Sequence, residues 1–323
     1  MGTRSILVGM VAGLALSGVL GAEASVTGGN PTAHAIRIPV GKASLYAREI
    51  GRGTPLVILH GGPDFDHRYL LPEMDRLADG YRLIFYDQRG RGASARDVLP
   101  RDVTLSSEVE DLDRVRRFFH LESMTLVGHS WGAVLALEYA LKHPDRVARL
   151  ILMNPGPASG ADLAAFRAVY ARKLGADLER QRAIVASPAY REGDPDTVAA
   201  RYRLHFKPAL ARADDYERLM SRMKAAFVQQ GREGILEARA VEDQLMRETW
   251  ASAGYDLLPK LGSLEIPTLA VAGDHDFFPP EVASHIAAAI PGARLVTLEG
   301  CGHFAYLECP GALRKAVDAF FQR

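Results

Sequence analysis

The sequence predicts an α/β fold: a mostly parallel central sheet flanked by helices, with a helical cap inserted between two of its strands. Three observations carry that expectation. Short, nearly continuous apolar runs recur along the chain, as strands covered on both faces of a parallel sheet do. Amphipathic helical stretches alternate with them, a pattern that closes through right-handed crossovers. One long interval, residues 155–255, breaks the alternation and holds no buried strand run.

Taken in order, the chain opens on "MGTRSILVGMVAGLALSGVLGAEAS", with a basic start at Arg4, an apolar run from Ile6 to Ala22, and an A-x-A site at Ala22-Glu23-Ala24. That is the pattern of a secretory signal peptide over residues 1–24, so the mature chain is expected to begin at Ser25 and to be exported, periplasmic or secreted. An uncleaved signal anchor is the alternative, although the run is marginal for a full membrane span. Residues 25–154 then form the first part of the core. "AIRIPV" and "ASLYAREI" alternate as antiparallel strands do. "PLVILH", "RLIFY", "MTLVG", "RLILMN" and "PTLAVAG" are the buried parallel strands, and "ARLVTLEG" reads as one more.

Between them, residues 107–120 place Val109, Leu112, Val115 and Phe119 on one helical face, with Ser107 and Glu110 offering a capping box. Residues 132–142 are apolar all round, as in a helix packed directly behind a sheet. The interval 155–255, rich in Ala, Arg, Glu and Leu, reads as a helical cap, since so long a loop without structure is implausible. Its ends leave carboxyl ends of strands, where open α/β sheets bind ligands. Residues 256–323 complete the core.

Composition narrows the function. The 323 residues are 48% hydrophobic and carry 39 basic against 39 acidic side chains. Zero net charge and the lack of a basic block argue against a nucleic-acid surface. No H-E-x-x-H or comparable set is present, so neither a metal nor a cofactor is expected. Cys301 and Cys309 lie close in sequence, and in an exported chain they read equally as a disulfide or as two small buried thiols. The expected partner is a small-molecule or short-peptide substrate, with oligomeric state left open.

The chemistry centres on "VGHSWGAV". A buried strand, a Gly-x-Ser-x-Gly turn and a helix in succession make a nucleophile elbow, which lifts the Ser130 hydroxyl to the sheet's edge at a helix start. A serine needs a base, and "LEGCGHFAYLECP" supplies His303 after the last strand. "GDHDFFPP" supplies Asp274 and Asp276, of which Asp274 reads as a turn residue. The order Ser130, Asp276, His303 separates this arrangement from other serine hydrolase orders. Asn154-Pro155 ends the intervening strand without an acid. For the oxyanion, the donors are the amides of Trp131 and of Gly62 in "HGGP", where the lack of a Cβ permits close approach.

"HGGPDF", "DQRGRGAS", "GHSWG", "GDHDFFPP" and "GCGHFAYLECP" together resemble the α/β-hydrolase superfamily, in its proline iminopeptidase branch, over roughly residues 35–155 and 255–323. The resemblance implies an α/β-hydrolase fold and cleavage of an N-terminal residue, often proline, from short peptides or amides. It selects Asp276, which falls in Gly-x-x-Asp shortly before Pro279, and gives Asp87 and Arg89 of "DQRGRGAS" structural roles. It further implies acidic side chains that hold the substrate's free amine. Here the chain departs from its relatives: Phe277 and Phe278 follow Asp276 where some carry a glutamate, and the Trp-containing cap motif with its glutamate is missing. Glu237, Glu242 and Asp243 are the available cap acids, read first as a solvated helix face, with Glu242 the candidate amine contact. Phe277 points instead to an apolar pocket, which keeps a carboxylesterase as the alternative. A non-catalytic ligand-binding homologue is the alternative of another class.

Overall fold

A computed structural model describes residues 32–322, and the expected signal segment lies outside them. An eight-stranded sheet runs in the order β1-β2-β4-β3-β5-β6-β7-β8. Its strands are β1 (His34–Val40), β2 (Ala43–Gly51), β3 (Thr54–Leu59), β4 (Tyr81–Tyr86), β5 (Met124–His129), β6 (Val147–Met153), β7 (Thr268–Gly273) and β8 (Arg294–Leu298). β1 and β2 pair antiparallel, β2 pairs antiparallel with β4, and all later pairings are parallel.

The apolar runs explain the layers. Along β3, Leu56 and Ile58 join one buried cluster while Val57 and Leu59 join another, and β4 and β6 alternate in the same way. A strand's period of two sends successive side chains to opposite faces, so continuous apolar runs need cover on both sides. Every residue of β5 and of β7 is buried. β8 departs from the fully buried reading: its residues alternate in exposure, because it is the last strand of the sheet.

Helices α1 (Leu105–Phe118) and α2 (Trp131–Lys142) pack on the second cluster. The capping box of α1 sits one turn earlier than the sequence pattern implied. Thr104 is the N-cap and Ser107 is its reciprocal partner, while Glu110 takes no part. The Thr104 hydroxyl accepts from the Ser107 N–H at 3.1 Å and the Ser107 hydroxyl accepts from the Thr104 N–H at 2.9 Å, so both free donors are satisfied.

Between β6 and β7 run α3 (Gly160–Leu174), α4 (Asp177–Ala186), α5 (Pro188–Arg191), α6 (Pro195–Phe206), α7 (Ala213–Glu248) and α8 (Leu258–Leu261). α7 breaks direction at Gly231, whose φ of 70° lies outside the helical range. Apolar side chains of α6 and α7, among them Tyr202, Leu219 and Phe227, extend the first cluster of the sheet. This helical layer therefore shares a core with the sheet it covers. α9 (Pro280–Ala289), α10 (Ala305–Glu308) and α11 (Pro310–Phe321) complete the chain. No described helix is long and apolar enough to cross a membrane.

Candidate active site

Ser130 occupies the turn between β5 and α2 at φ 54° and ψ −115°, a left-handed conformation unusual for a residue with a side chain. The flanking glycines make the turn possible. A Cβ on Gly128 would lie 2.4 Å from the Gly132 carbonyl oxygen, and one on Gly132 would lie 2.2 Å from that of Leu59. The two neighbouring backbones thus pass at distances that only glycine permits. Ser130 is 9% exposed and, with His303, lines a cavity of about 190 Å³ under the helical layer.

His303 follows β8 and is held from the side. Its Nδ1 lies 3.0 and 3.1 Å from the two carboxylate oxygens of Asp276, which follows β7. Asp276 also accepts from Asn154 Nδ2 at 2.8 Å and from the Phe278 N–H at 3.0 Å. Burial alone would raise the Asp276 carboxyl, but the imidazole and these donors hold it below the ordinary carboxylate range. With Nδ1–H given to Asp276, the Nε2 lone pair of His303 is the ring's free acceptor. Ser130 Oγ makes no hydrogen bond with another described residue, so its link to His303 is open in this conformation. Such links commonly tighten only when substrate arrives.

Asp274 stands apart from this pair. It accepts from the Cys301 N–H at 3.3 Å and contacts His275 Nδ1 at 2.7 Å, in the manner of a turn residue. Cys301 and Cys309 are joined as a disulfide, with Cα atoms 6.1 Å apart, and bracket the His303 loop. The loop is also fastened to the segment after α6. The His303 N–H donates to the Ala209 carbonyl at 2.7 Å. Buried Glu308 accepts from Gly302 N–H at 2.7 Å and from Ala211 N–H at 2.6 Å.

A buried relay ties the serine, the histidine and the "HGGP" loop together. The His303 carbonyl can only accept, so the His129 Nε2 that faces it at 2.9 Å must donate. His129 Nδ1 then accepts from the Tyr69 hydroxyl at 2.7 Å, and that oxygen accepts from the Gly61 N–H at 2.7 Å. Burial, with His303 close by, pushes the His129 imidazole down to about 3, so it stays neutral. With the Gly61 N–H occupied, the amides left free beside Ser130 are those of Gly62 and Trp131. Neither donates to another described residue. Gly62 has φ 126°, and a Cβ there would strike the Asp64 nitrogen at 2.4 Å. The Trp131 side chain points inward and donates from Nε1 to Gln88 Oε1 at 3.2 Å.

Asp87 and Arg89 do not line the cavity. Asp87 accepts from His67 Nδ1 at 2.6 Å and from the Ala93 N–H at 2.9 Å, and Arg89 pairs with Asp111 at 2.6 Å. Asp66, His67 and Asp87 lie close enough to share an ion, yet their polar atoms are already matched, Asp66 by Arg68 at 2.5 Å.

The helical side of the cavity holds the surprises. The Phe277 ring lies 4.5 Å from the His303 ring, as an apolar wall requires. Glu242 on α7 is not on a solvated face: it lines the cavity, where burial and the nearby Asp64 carboxylate push its own carboxyl up to about 8. The sequence pattern gave the helix face but not what covers it. Asp243 is exposed, as expected, and neither it nor Glu237 lines the cavity. Sequence reasoning missed Asp64, Arg201 and His205, which line it too. It also missed Asn154, Tyr69 and His129. His129 sits inside the elbow motif itself, and the Asn154-Pro155 strand end was the one visible signal for Asn154.

An alpha/beta hydrolase fold family model matches residues 54–310. A proline iminopeptidase of Lactobacillus crispatus is 32% identical over 81% of this chain and 89% of its own. Among solved structures, a proline iminopeptidase of Mycobacterium smegmatis matches with a TM-score of 0.65 at 24% identity, covering 90% of this chain and 98% of that one. A thermophilic esterase from Thermogutta terrifontis matches with a TM-score of 0.66 at 24% identity, over the same shares of the two chains. The chain belongs to the α/β-hydrolase family, in its proline iminopeptidase-like branch, and is a serine hydrolase.

Proposed function

We propose that this is an exported aminopeptidase or amidase that removes an N-terminal residue from small substrates through a Ser130–His303–Asp276 mechanism. Ser130 Oγ attacks the scissile carbonyl carbon while His303 Nε2 takes its proton. The resulting oxyanion accepts from the Gly62 and Trp131 amides, donors aimed where charge develops. The carbon–nitrogen bond then breaks as His303 returns the proton to the leaving amine. Water, activated by the same imidazole, releases the acyl group, and Asp276 keeps the ring oriented throughout.

The observation that carries the substrate reading is the pair of carboxylates, Asp64 and Glu242, in the cavity that also holds Ser130 and His303. Asp64 follows Gly62 closely, so an amine on the carbon next to the scissile carbonyl would fall within its reach. An arriving ammonium favours the ionised form of Glu242 and so binds more tightly than a neutral group. Export is supported by the leader pattern and by the Cys301–Cys309 bridge, a bond at home in oxidising compartments. N-terminal sequencing of the protein from an extracytoplasmic fraction should begin at Ser25.

The test is a panel of proline, alanine and N-acetylproline arylamides beside a short-chain aryl ester. Turnover confined to free-amine amides is the expected result. The aromatic wall of Phe277, Phe278 and Phe166 favours a second reading, a carboxylesterase, since it would take an uncharged acyl group equally well. Ester-only turnover would replace the first reading with the second.

A further inference from the structure

We infer that the substrate is a zwitterion whose carboxylate is taken by Arg201, which makes short free peptides, dipeptides above all, the preferred class. The inference rests on the aminopeptidase reading above and extends it. Arg201 on α6 lines the same cavity as Ser130 and His303. Its guanidinium carbon lies 4.4 Å from the centre of the Tyr202 ring, and its Nε is buried without an acceptor. The group forms no hydrogen bond or ion pair with another described residue. Arg68 and Arg222, which line the adjoining cavity, are different: each is matched to a carboxylate at 2.5 Å.

A buried cationic donor left unmatched is costly, and a guanidinium presents a planar fork that fits a carboxylate's two oxygens. Asp64 and Glu242 are close enough to influence Arg201 electrostatically, yet neither pairs with it. Two carboxylates and the Arg201 guanidinium, kept apart and open to one space that the exposed Arg167 also lines, complement a ligand that carries both signs. A lone cationic amine would meet opposition from Arg201, and an N-blocked acid would leave Asp64 and Glu242 without the cation that favours their ionised forms. A dipeptide satisfies all three, with its ammonium on the acyl side and its carboxylate on the leaving amino acid.

The experiment compares kcat/KM for Pro-Ala, Pro-Ala amide and N-acetyl-Pro-Ala in the wild-type enzyme and in Arg201→Met. The free dipeptide should exceed its C-terminal amide by ~10-fold or more in the wild type, the scale of one charge-assisted hydrogen bond. In Arg201→Met that ratio should fall close to one. Equal rates on dipeptide and amide, both dependent on the free amine, would overturn the role of Arg201 and leave the aminopeptidase reading standing. Indifference to N-acetylation would overturn both. Should Arg201→Met fail to fold, the wild-type ratio alone decides, because it needs no variant.

Discussion

On the sheet side of the cavity, polar atoms are committed to one another. Asp276 has three partners, His129 has both ring nitrogens engaged, and Tyr69 joins the "HGGP" loop to the elbow. On the helical side, neither Arg201 nor Glu242 makes a hydrogen bond or ion pair with another described residue, although both line the same space. The difference separates two tasks. On the proposed mechanism, the groups that hold the proton-transferring imidazole and its loop must be fixed before substrate arrives, since their value lies in preorganisation. Groups that select a substrate gain by remaining unmatched until the right ligand matches them.

Substitutions should split along the same line. The largest effect belongs to Ser130→Ala, with kcat expected to fall on the order of 10⁶-fold while the thermal midpoint stays near wild type. Retention of more than a tenth of the rate would end the nucleophile assignment. Asp276→Asn should cost about 10⁴-fold in kcat with little change in KM, because the amide favours the wrong imidazole tautomer. Across the cavity, Glu242→Gln should instead raise KM for free-amine substrates by about 10-fold and leave kcat nearly intact, the scale of one charged hydrogen bond. A kcat effect as large as that of Asp276→Asn would erase the distinction between the two sides.

The smallest effect concerns stability. His60 and His129 are held neutral, depressed by burial to about 4 and about 3 from an ordinary value of 6.5. Because the unfolded chain binds these protons first, the stabilisation present above pH 6.5 declines as pH falls toward 4. Each imidazole contributes at most about 1.4 kcal/mol per pH unit to that slope. Thermal melts between pH 7 and 4 should show it, and His129→Gln should flatten part of the decline. An unchanged slope would mean that His129 is not the buried neutral ring described above.

What the sequence made legible follows the range of the forces involved. The elbow is local: strand, Gly-x-Ser-x-Gly and helix are consecutive, and the two glycines mark a close approach that no other residue allows. The alternation that gave the sheet is local as well. Asn154 was different, because its meaning depends on Asp276, a partner 122 positions away. Tyr69 and His129 likewise acquire their roles only when three separate loops meet. Glu242 was misplaced for a related reason: periodicity marks which helix face is polar, not whether that face looks onto water or onto the cavity that holds Ser130. The α1 cap slipped by one turn because Thr104 and Ser107 compete for the same local signature.

The fastening of the His303 loop to residues 209–211 sets a rule for any motion around the cavity. Those bonds join the backbone of the imidazole, and the Glu308 beside it, to the chain that leaves α6. A swing of that chain would drag the ring with it and spoil its alignment at the moment the interior became wet. On the proposed mechanism, motion at this corner would cost activity even if every side chain around the cavity stayed intact.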